Sequence, residues 1–425
     1  MKVLLGPAHE LHVGVHGSLV AAPPPGVSYV RCPYTLHFRP DRDARHPFSP
    51  LHDPAVSEWV RFTGVPAGTA VVHSSRLPVR SPLPWVVDAD SLLTPLRVGR
   101  FFALGAAARG DPPFPDPPAV ARREAAMAAR YADRRCARLL FRTEYARRMF
   151  LDHLSHGGHR PETVETLAGK SEAVYPAVPA AAPRERRAGP VCVLYMGRTA
   201  QDKGAEVAAE VFLQLRERHG SAVRPVFLGP CPAGLASRLA AAGVELVPVL
   251  PRTDYLERLR RADVFLSPTS FESFGMGLLE AAAAGLAVVC PAGPGMEHIG
   301  ELFTAGENAL FVTDTGPPAR QVAMFTAAVS ALIRDEPLRR RLSMNNHALT
   351  SRGKLSLRRR DERLGAVYAH AAALGASTLG DADRTRARTE AESECDRPVT
   401  TWAEEVCHWA GQHCAARIGG RVVAR

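Results

Sequence analysis

The second half of the chain alternates short apolar runs with longer amphipathic segments, and this alternation constrains the fold most. In the segment from Glu206 to Arg218, for example, Val207, Val211 and Leu215 recur at helical spacing. The predicted strands are Val191–Met196, Val226–Leu228, Glu245–Val247, Val264–Ser267 and Ala287–Cys290, and the predicted helices between and after them are 206–218, 235–242, 254–261, 277–284, 318–334 and 355–374. Strands that alternate with helices indicate a doubly wound parallel sheet.

The first half shows the same alternation less clearly. Apolar runs at Lys2–Leu5, Ala70–Val72, Trp85–Val87 and Arg138–Phe141 are spaced like strands of an open parallel sheet. Residues 119–131 are rich in Ala, Arg and Glu and predict a helix. Proline-rich stretches at 22–25 and 112–118 predict surface loops.

A proline- and alanine-rich stretch from Tyr175 to Pro190 has the composition of a linker and marks the predicted domain boundary. We therefore expect domains at 1–183 and 184–354, a terminal helix at 355–376, and a tail at 377–425. The tail is polar until Trp402, Val406 and Trp409, which recur at helical spacing and predict a docking helix.

The chain carries a formal charge of +10, and only four of its 53 basic residues are lysine. Two explanations remain open: the codon bias of a GC-rich genome, or an anionic partner. The eight cysteines lack CxxC spacing, which favours free thiols and no metal site. Nothing in the sequence suggests nucleic acid as a partner, and a membrane contact is not favoured. The short apolar run at the N-terminus predicts a cytoplasmic protein, and the oligomeric state stays open.

Two cations stand after the strand that ends at Met196. Arg198 follows Gly197, and Lys203 lies five residues farther along, before Gly204. A guanidinium can grip phosphate oxygens through its planar fork, and an ammonium acts as a compact point charge. The pair therefore suits a diphosphate whose negative charge grows as it departs.

A second cluster, some seventy residues farther on, reads Phe271-Glu-Ser-Phe-Gly-Met-Gly-Leu-Leu-Glu280. Glu272 and Glu280 are placed to reach different hydroxyl groups. Between them, Gly275 and Gly277 expose backbone amides where a helix begins, and the helix dipole favours an anion there. The two clusters together suit a sugar linked to a nucleoside diphosphate.

Residues from Val191 to about Leu342 resemble the nucleotide-binding half of the family 4 retaining glycosyltransferases. The matching pieces, in order, are Gly197-Arg198 with Lys203-Gly204, Val226–Gly229, Ala262–Pro268, Glu272–Gly275, Glu280-Ala281, Gly285–Val289 and Gly306–Val312. The resemblance implies an α/β fold of the GT-B class, with two Rossmann-like domains whose parallel sheets face each other across a cleft. It covers about 150 residues well and residues 1–185 only loosely.

The resemblance also implies roles for these residues and a UDP- or GDP-sugar as co-substrate, without a metal or other cofactor. Arg198 and Lys203 become catalytic residues that neutralise the departing diphosphate, and Glu280 holds the ribose. The residues predicted to bind the donor sugar are Glu272, Ser273, Phe274, Gly275 and Met276. Gly197 and His16 are also predicted to contact the donor. Glu297 is left between a ligand contact and a salt bridge.

The first domain departs from the family pattern. Family members usually carry a histidine after an apolar strand near the scissile bond, and Asp90 occupies the equivalent position in Pro84–Ser91. Asp90 and His73 are candidate catalytic residues, and Arg142 and Glu144, which follow the strand 138–141, are candidates for acceptor binding. A misplaced alignment remains an alternative, with Asp88 or Asp90 simply ending a strand.

The leading hypothesis is a glycosyltransferase that moves a hexose from a nucleotide sugar to a small acceptor, with retention at the anomeric carbon. The divergent first domain and the arginine-rich composition favour specialised metabolism such as antibiotic biosynthesis. One alternative is a catalytically silent sugar-nucleotide-binding partner of another enzyme. Another is a GT-B catalyst that forms an unusual C–N or C–S linkage.

Overall fold

The computed structural model describes residues 1–37, 59–89, 117–181, 189–197, 203–232, 234–270, 272, 274–293, 296–313 and 316–378. Within these residues the chain forms two compact units. The first takes Met1–Pro176 together with the segment from Arg360, and the second takes Ala177–Arg359. In the part of the chain that the structure describes, no helix has the length and apolarity that a membrane crossing requires.

The first unit is built on a six-stranded parallel sheet in the order β2-β1-β5-β6-β7-β8. Its strands are β1 (Lys2–Gly6), β2 (Ser28–Val30), β5 (Thr69–Ser75), β6 (Trp85–Ala89), β7 (Cys136–Phe141) and β8 (Ser171–Ala173), and an antiparallel pair is formed by β3 (Tyr34–His37) and β4 (Trp59–Phe62). Its first helices are α1 (Val15–Ala21), α2 (Pro117–Ala132), α3 (Glu144–His156) and α4 (Pro161–Lys170).

The first sheet is buried on both faces. One face packs on α2, α3 and α4 through residues such as Val72, Trp85 and Phe150. The other face is closed by α1 and by the last described helix, α12 (Leu357–Thr378), whose Leu364, Val367, Tyr368 and Ala371 are buried against Val3 and its neighbours. The apolar stripe of this helix therefore completes the core of the first unit, although the helix begins in the second.

The second unit repeats the design with a six-stranded parallel sheet in the order β11-β10-β9-β12-β13-β14. Its strands are β9 (Val191–Met196), β10 (Val223–Leu228), β11 (Glu245–Val247), β12 (Val264–Leu266), β13 (Ala287–Pro291) and β14 (Ala309–Val312). Its helices are α5 (Ala205–His219), α6 (Ala236–Ala241), α7 (Arg252–Arg261), α8 (Met276–Ala283), α9 (Glu297–Leu302), α10 (Pro318–Arg334) and α11 (Glu336–Ser351).

The strand order of each sheet reverses direction once. In the first sheet the reversal lies between β1 and β5, and in the second it lies between β9 and β12. Loops that leave the carboxyl ends of the two strands at such a point diverge to opposite faces of the sheet and open a crevice that binds ligands. The topology therefore directs attention to the residues after β1, β5, β9 and β12.

Candidate functional site

The loop after β9 packs closely on the chain that follows β12. Gly204 has a φ of +67°, and a Cβ at this position would lie 2.0 Å from the carbonyl oxygen of Pro268. A side chain is excluded both by the left-handed backbone and by this approach. Gly204 thereby brings Lys203 against the segment that carries Glu272.

Lys203 and Glu272 form an ion pair at the reversal point of the second sheet. The Nζ atom of Lys203 lies 2.5 Å from Oε2 of Glu272, and 31% of the lysine side chain and 17% of the glutamate side chain remain exposed. Because both partners are partly solvated, a ligand with stronger charges can reach either of them. The residues are 69 positions apart in the sequence, so the fold alone brings them together.

A buried histidine stands near this pair. His298, on α9, is 3% exposed, and burial lowers its pKa although Glu272, Glu297 and Glu301 oppose the shift. At neutral pH the imidazole is therefore uncharged. Glu272 thus faces the ammonium of Lys203 without a second full positive charge from His298.

Helix α8 starts directly after Gly275, whose φ is +97°. The left-handed backbone at Gly275 turns the chain so that Phe274 enters the core, where it is fully buried, and Met276 begins the helix. A glycine at this N-cap leaves the first amides of the helix without a side-chain cap. These N–H groups are suited to donate hydrogen bonds to an anion or a sugar oxygen.

Glu280, on α8, is 4% exposed and carries its charge into an otherwise apolar helix. Nη1 of Arg252, the first residue of α7, lies 2.7 Å from its Oε1. The same oxygen has no well-aligned hydrogen bond among the described residues, so we describe the contact as an ion pair. Arg252 therefore supplies the positive charge that a buried carboxylate requires.

The first unit gathers three ionisable side chains beside its own reversal point. Nε2 of His16, on α1, lies 2.7 Å from Oδ2 of Asp88, on β6. Nε2 of His73, on β5, lies 3.1 Å from Oδ1 of the same carboxylate, a close ion contact whose geometry is not that of an aligned hydrogen bond. We call His16, His73 and Asp88 the Asp88 cluster.

The tautomer of His16 follows from its neighbours. The backbone N–H of His12 donates to Nδ1 of His16 over 2.7 Å, so this nitrogen carries no hydrogen. The other nitrogen, Nε2, must then hold the hydrogen and donate it to Asp88. Burial lowers the pKa of His16 and outweighs the opposing effect of Asp88, so the ring is neutral at neutral pH.

Two tyrosines extend the Asp88 cluster toward α12. The hydroxyl of Tyr368 lies 2.6 Å from Nδ1 of His73 and 3.0 Å from the hydroxyl of Tyr29. Both tyrosines are essentially fully buried. The hydrogen-bonded chain therefore ties the helix that ends the described structure to the centre of the first sheet.

The predicted acceptor residues differ in their surroundings. Arg142, directly after β7, is 5% exposed. Glu144 is the first residue of α3, where the helix dipole stabilises a carboxylate. It also lies 3.3 Å from Nη1 of Arg147, with 45% of its side chain exposed. Their contact with an acceptor stays a prediction.

Three predicted site residues, Arg198, Ser273 and Asp90, lie outside the described residues. The other donor-site candidates of the second unit fall around β9, β12 and α8. Gly197 lies directly before the loop of Lys203, and a Cβ there would lie 2.3 Å from the hydroxyl oxygen of Tyr195 and 3.0 Å from Cβ of Lys203. His16 and His73 lie together in the first unit instead.

The sequence analysis did not predict that Arg252 pairs with Glu280 or that Asp88 lies between His16 and His73. Arg252 is one of many arginines, and its only signal is a position two residues before the predicted helix 254–261. Asp88 interrupts an apolar strand, and that interruption is a usable signal because a carboxylate inside a buried strand requires partners.

Comparison with known proteins finds sequence relatives for residues of the second unit. Residues 181–348 match the family model described as Glycosyl transferases group 1. Glycogen synthase of Mycobacterium tuberculosis is 33% identical over 177 residues, which are 40% of this chain and 41% of the relative. The chain thus spans about two fifths of the length of the curated relatives it matches.

Similar solved structures cover more of the molecule. HepE of Anabaena, crystallised in complex with UDP, has a TM-score of 0.52 at 14% identity, covering 87% of this chain and 100% of its own. A glycosyltransferase from Rickettsia africae has a TM-score of 0.53 at 11% identity, covering 87% and 98%. At such identities the likeness shows the fold alone. The fold is that of the GT-B class, and residues 181–348 are similar to the Glycosyl transferases group 1 family.

Proposed function

We propose that the protein is a glycosyltransferase whose second unit binds a nucleoside diphosphate sugar. The observation that carries the proposal is the Lys203–Glu272 ion pair, which lies where the second sheet reverses its strand order. Both partners are partly exposed, and the group 1 match spans them. A ligand that bears both a diphosphate and hydroxyl groups satisfies both members of the pair.

Donor binding exchanges the partners of this ion pair. The diphosphate replaces Glu272 beside Lys203, and Arg198 adds a second cation from the same loop. As the bond to the sugar breaks, negative charge accumulates on the diphosphate, and fixed cations stabilise that charge more than the ground state.

The exchange also releases Glu272, which then accepts hydrogen bonds from hydroxyls of the donor sugar. The backbone at Ser273, Phe274, Gly275 and Met276 orients the same sugar, and Gly197 contributes to donor binding through its backbone. Glu280, held by Arg252, takes the ribose hydroxyls. Each of these roles is the one that the resemblance implies for the matching residue.

The nucleotide is UDP or GDP. UDP is the first candidate, because the fold neighbour from Anabaena was crystallised with it. The resemblance implies that backbone groups around 228–230 and 249–255 contact the base, so the side chains there do not distinguish UDP from GDP.

The first unit takes a small acceptor of specialised metabolism, and the transferred sugar keeps its anomeric configuration. Arg142 and Glu144 contribute to acceptor binding. Asp90 and His73 contribute to catalysis, and His16 contributes to holding the donor.

Calorimetric titration with UDP, GDP and dTDP tests the donor assignment. Lys203→Ala should weaken binding of the preferred diphosphate by about 1.5–3 kcal/mol, because a charge-assisted contact is lost. The matched control is Arg238→Ala, which removes a cation from an exposed pair with Glu210 in the same unit. Unchanged affinity in Lys203→Ala would remove the proposed site.

Turnover separates an enzyme from a silent binder. Purified protein should release UDP from UDP-glucose or GDP from GDP-mannose, slowly to water and faster with a suitable acceptor. Binding of the nucleotide sugar with no release of the diphosphate under any condition would favour the silent binder instead.

A further inference from the structure

The Asp88 cluster occupies the position in the first unit that the Lys203–Glu272 pair occupies in the second. His16 follows β1 and His73 lies on β5, the two strands between which the first sheet reverses its order, and Asp88 lies on the adjacent β6. Ligands of open parallel sheets bind outside the carboxyl ends of strands at such a point. The topology therefore places a binding crevice beside this cluster.

Of the three side chains, Asp88 is the one that a ligand can reach. His16 is fully buried and His73 is 1% exposed, whereas 13% of the Asp88 side chain is exposed. An effect of either histidine on a substrate must consequently pass through the carboxylate.

The carboxylate retains capacity for a ligand. Its two oxygens offer about four acceptor positions. One imidazole approaches each oxygen from the buried side, so about two positions remain toward the exposed edge. Two adjacent positions that accept hydrogen bonds suit two neighbouring hydroxyl donors on a sugar ring.

The surroundings keep Asp88 ionised. Burial by itself would raise the pKa of this carboxyl, but His73 and His16 outweigh that effect and hold the pKa well below its ordinary value. A carboxylate of such low proton affinity is a poor base and a good hydrogen-bond acceptor. It binds hydroxyl groups and does not take their protons.

Other charged and titratable groups also act on the cluster. Arg142, after β7, acts on His16. Tyr368 and Tyr29 pack against the cluster from α12 and β2, and Arg360 and Asp361 act on those tyrosines from α12. None of them replaces the imidazoles, which are the groups in direct contact with the carboxylate.

We propose that Asp88 is the contact residue of a subsite for sugar hydroxyls at the reversal point of the first sheet, and that His16 and His73 are positioning residues that act through it. The inference rests on the proposed function and deepens it. The shared chemistry is a pair of neighbouring ring hydroxyls, which come either from the donor sugar or from a sugar-like acceptor.

Asp88→Asn tests the subsite, because it removes the charge and keeps the size. The measurements are binding of UDP, release of UDP from UDP-glucose in water, and release with maltose added. UDP affinity should stay within about twofold, and sugar-dependent turnover should fall about 10- to 100-fold, as expected for loss of a charge-assisted hydrogen bond. Equal losses in water and with maltose identify the donor sugar, whereas loss with maltose alone identifies the acceptor.

His16→Asn keeps Asp88 and removes one of its partners. Without that donor the pKa of the carboxyl rises, although His73 still lowers it, so the acid limb of the turnover profile should move to higher pH. A merely structural role would lower turnover equally at all pH values. Tyr29→Phe, which removes a buried hydroxyl that contacts Tyr368 and not Asp88, is the matched control for a buried polar loss.

The outcomes separate this inference from the proposed function. Wild-type turnover in Asp88→Asn, or an unmoved pH profile in His16→Asn, would overturn the subsite while UDP binding remained intact. If Asp88→Asn does not fold, as judged by thermal unfolding, the pH profile of His16→Asn decides. Absence of nucleotide binding in the wild type would instead contradict the proposed function.

Discussion

The two reversal points of this molecule have the same topology and different chemistry. In the second unit, the loops after β9 and β12 hold a partly exposed lysine against a partly exposed glutamate. In the first unit, the corresponding position holds a carboxylate between two buried imidazoles, with a small exposed edge. One arrangement can exchange its partners for a ligand, and the other keeps them.

The difference follows from solvation. The Lys203 side chain is 31% exposed, whereas the imidazoles of His16 and His73 are 0% and 1% exposed. Separating the partly solvated lysine from its carboxylate therefore costs less than removing a buried imidazole. A buried carboxylate that loses its partners is left uncompensated at a cost of several kcal/mol. We therefore expect the second unit to supply adaptable charge recognition and the first to supply a fixed acceptor of hydrogen bonds.

Among the variants that test the role of burial, Arg252→Met should lower the unfolding free energy most. It leaves Glu280, which is 4% exposed, without its cation. Loss of one partner of a buried pair costs about 3–5 kcal/mol, and the partial exposure of Arg252 reduces this to about 2–3 kcal/mol in unfolding free energy. Chemical denaturation measures the loss, and nucleotide affinity should fall as well.

Its control is the double variant Arg252→Met with Glu280→Gln. Removal of both charges should recover part of the lost stability without recovering nucleotide affinity. If the double variant is as unstable as the sum of the single variants, the two residues do not interact.

Gly204→Ala should have the next largest effect. A left-handed φ costs a non-glycine residue about 1–2 kcal/mol, and the new Cβ would also meet the carbonyl oxygen of Pro268. The expected loss in unfolding free energy is about 2 kcal/mol, together with weaker UDP binding. Gly300→Ala is the matched control, because nothing lies within 4 Å of its added Cβ; equal losses in both variants would refute the close-approach argument.

The pH dependence of stability should change in His16→Asn. In the folded protein the pKa of His16 lies below its ordinary value near 6.5. The unfolded chain therefore binds the proton more readily, and stability falls as the pH drops below about 6.5, by at most about 1.4 kcal/mol per pH unit for one proton. Thermal unfolding between pH 7.5 and 5.5 should show a smaller slope in the variant, and an unchanged slope would contradict a buried neutral His16.

Tyr29→Phe should have the smallest effect. It removes the hydrogen bond between the hydroxyls of Tyr29 and Tyr368, at a cost of about 1 kcal/mol in unfolding free energy. UDP affinity should not change, because the second unit supplies the nucleotide contacts. A tenfold loss of UDP affinity would contradict the assignment of the nucleotide contacts to the second unit.

The sequence predicts the second unit better than the first. The strands Val191–Met196 and Glu245–Val247 and the helix Pro318–Arg334 have the predicted bounds. The strand Val191–Met196 is almost fully buried and reads as a continuous apolar run, whereas Glu245–Val247 is an edge strand on which Leu246 is 38% exposed. In the first unit the strands β1, β5, β6 and β7 were foreseen from four such runs. The prediction of a loop over 112–118 is wrong at its end, since α2 begins at Pro117, where the first turn of a helix tolerates proline.

Elements without an apolar signature escaped prediction. The strand β8, Ser-Glu-Ala, and the helix α4, beginning Pro-Glu-Thr, carry few apolar residues and gain their stability from neighbours in the fold. The candidate sites show the same limit. Residue types such as Lys203 and Glu272 were evident, but contacts across some seventy positions arise from strand order, which sequence patterns do not specify.

The measurement that tests the account most directly is a crystal structure of the protein with UDP. The account predicts that the diphosphate lies within hydrogen-bonding distance of Nζ of Lys203, with Glu272 displaced from its present contact. A diphosphate bound elsewhere, with the Lys203–Glu272 pair intact, would contradict it.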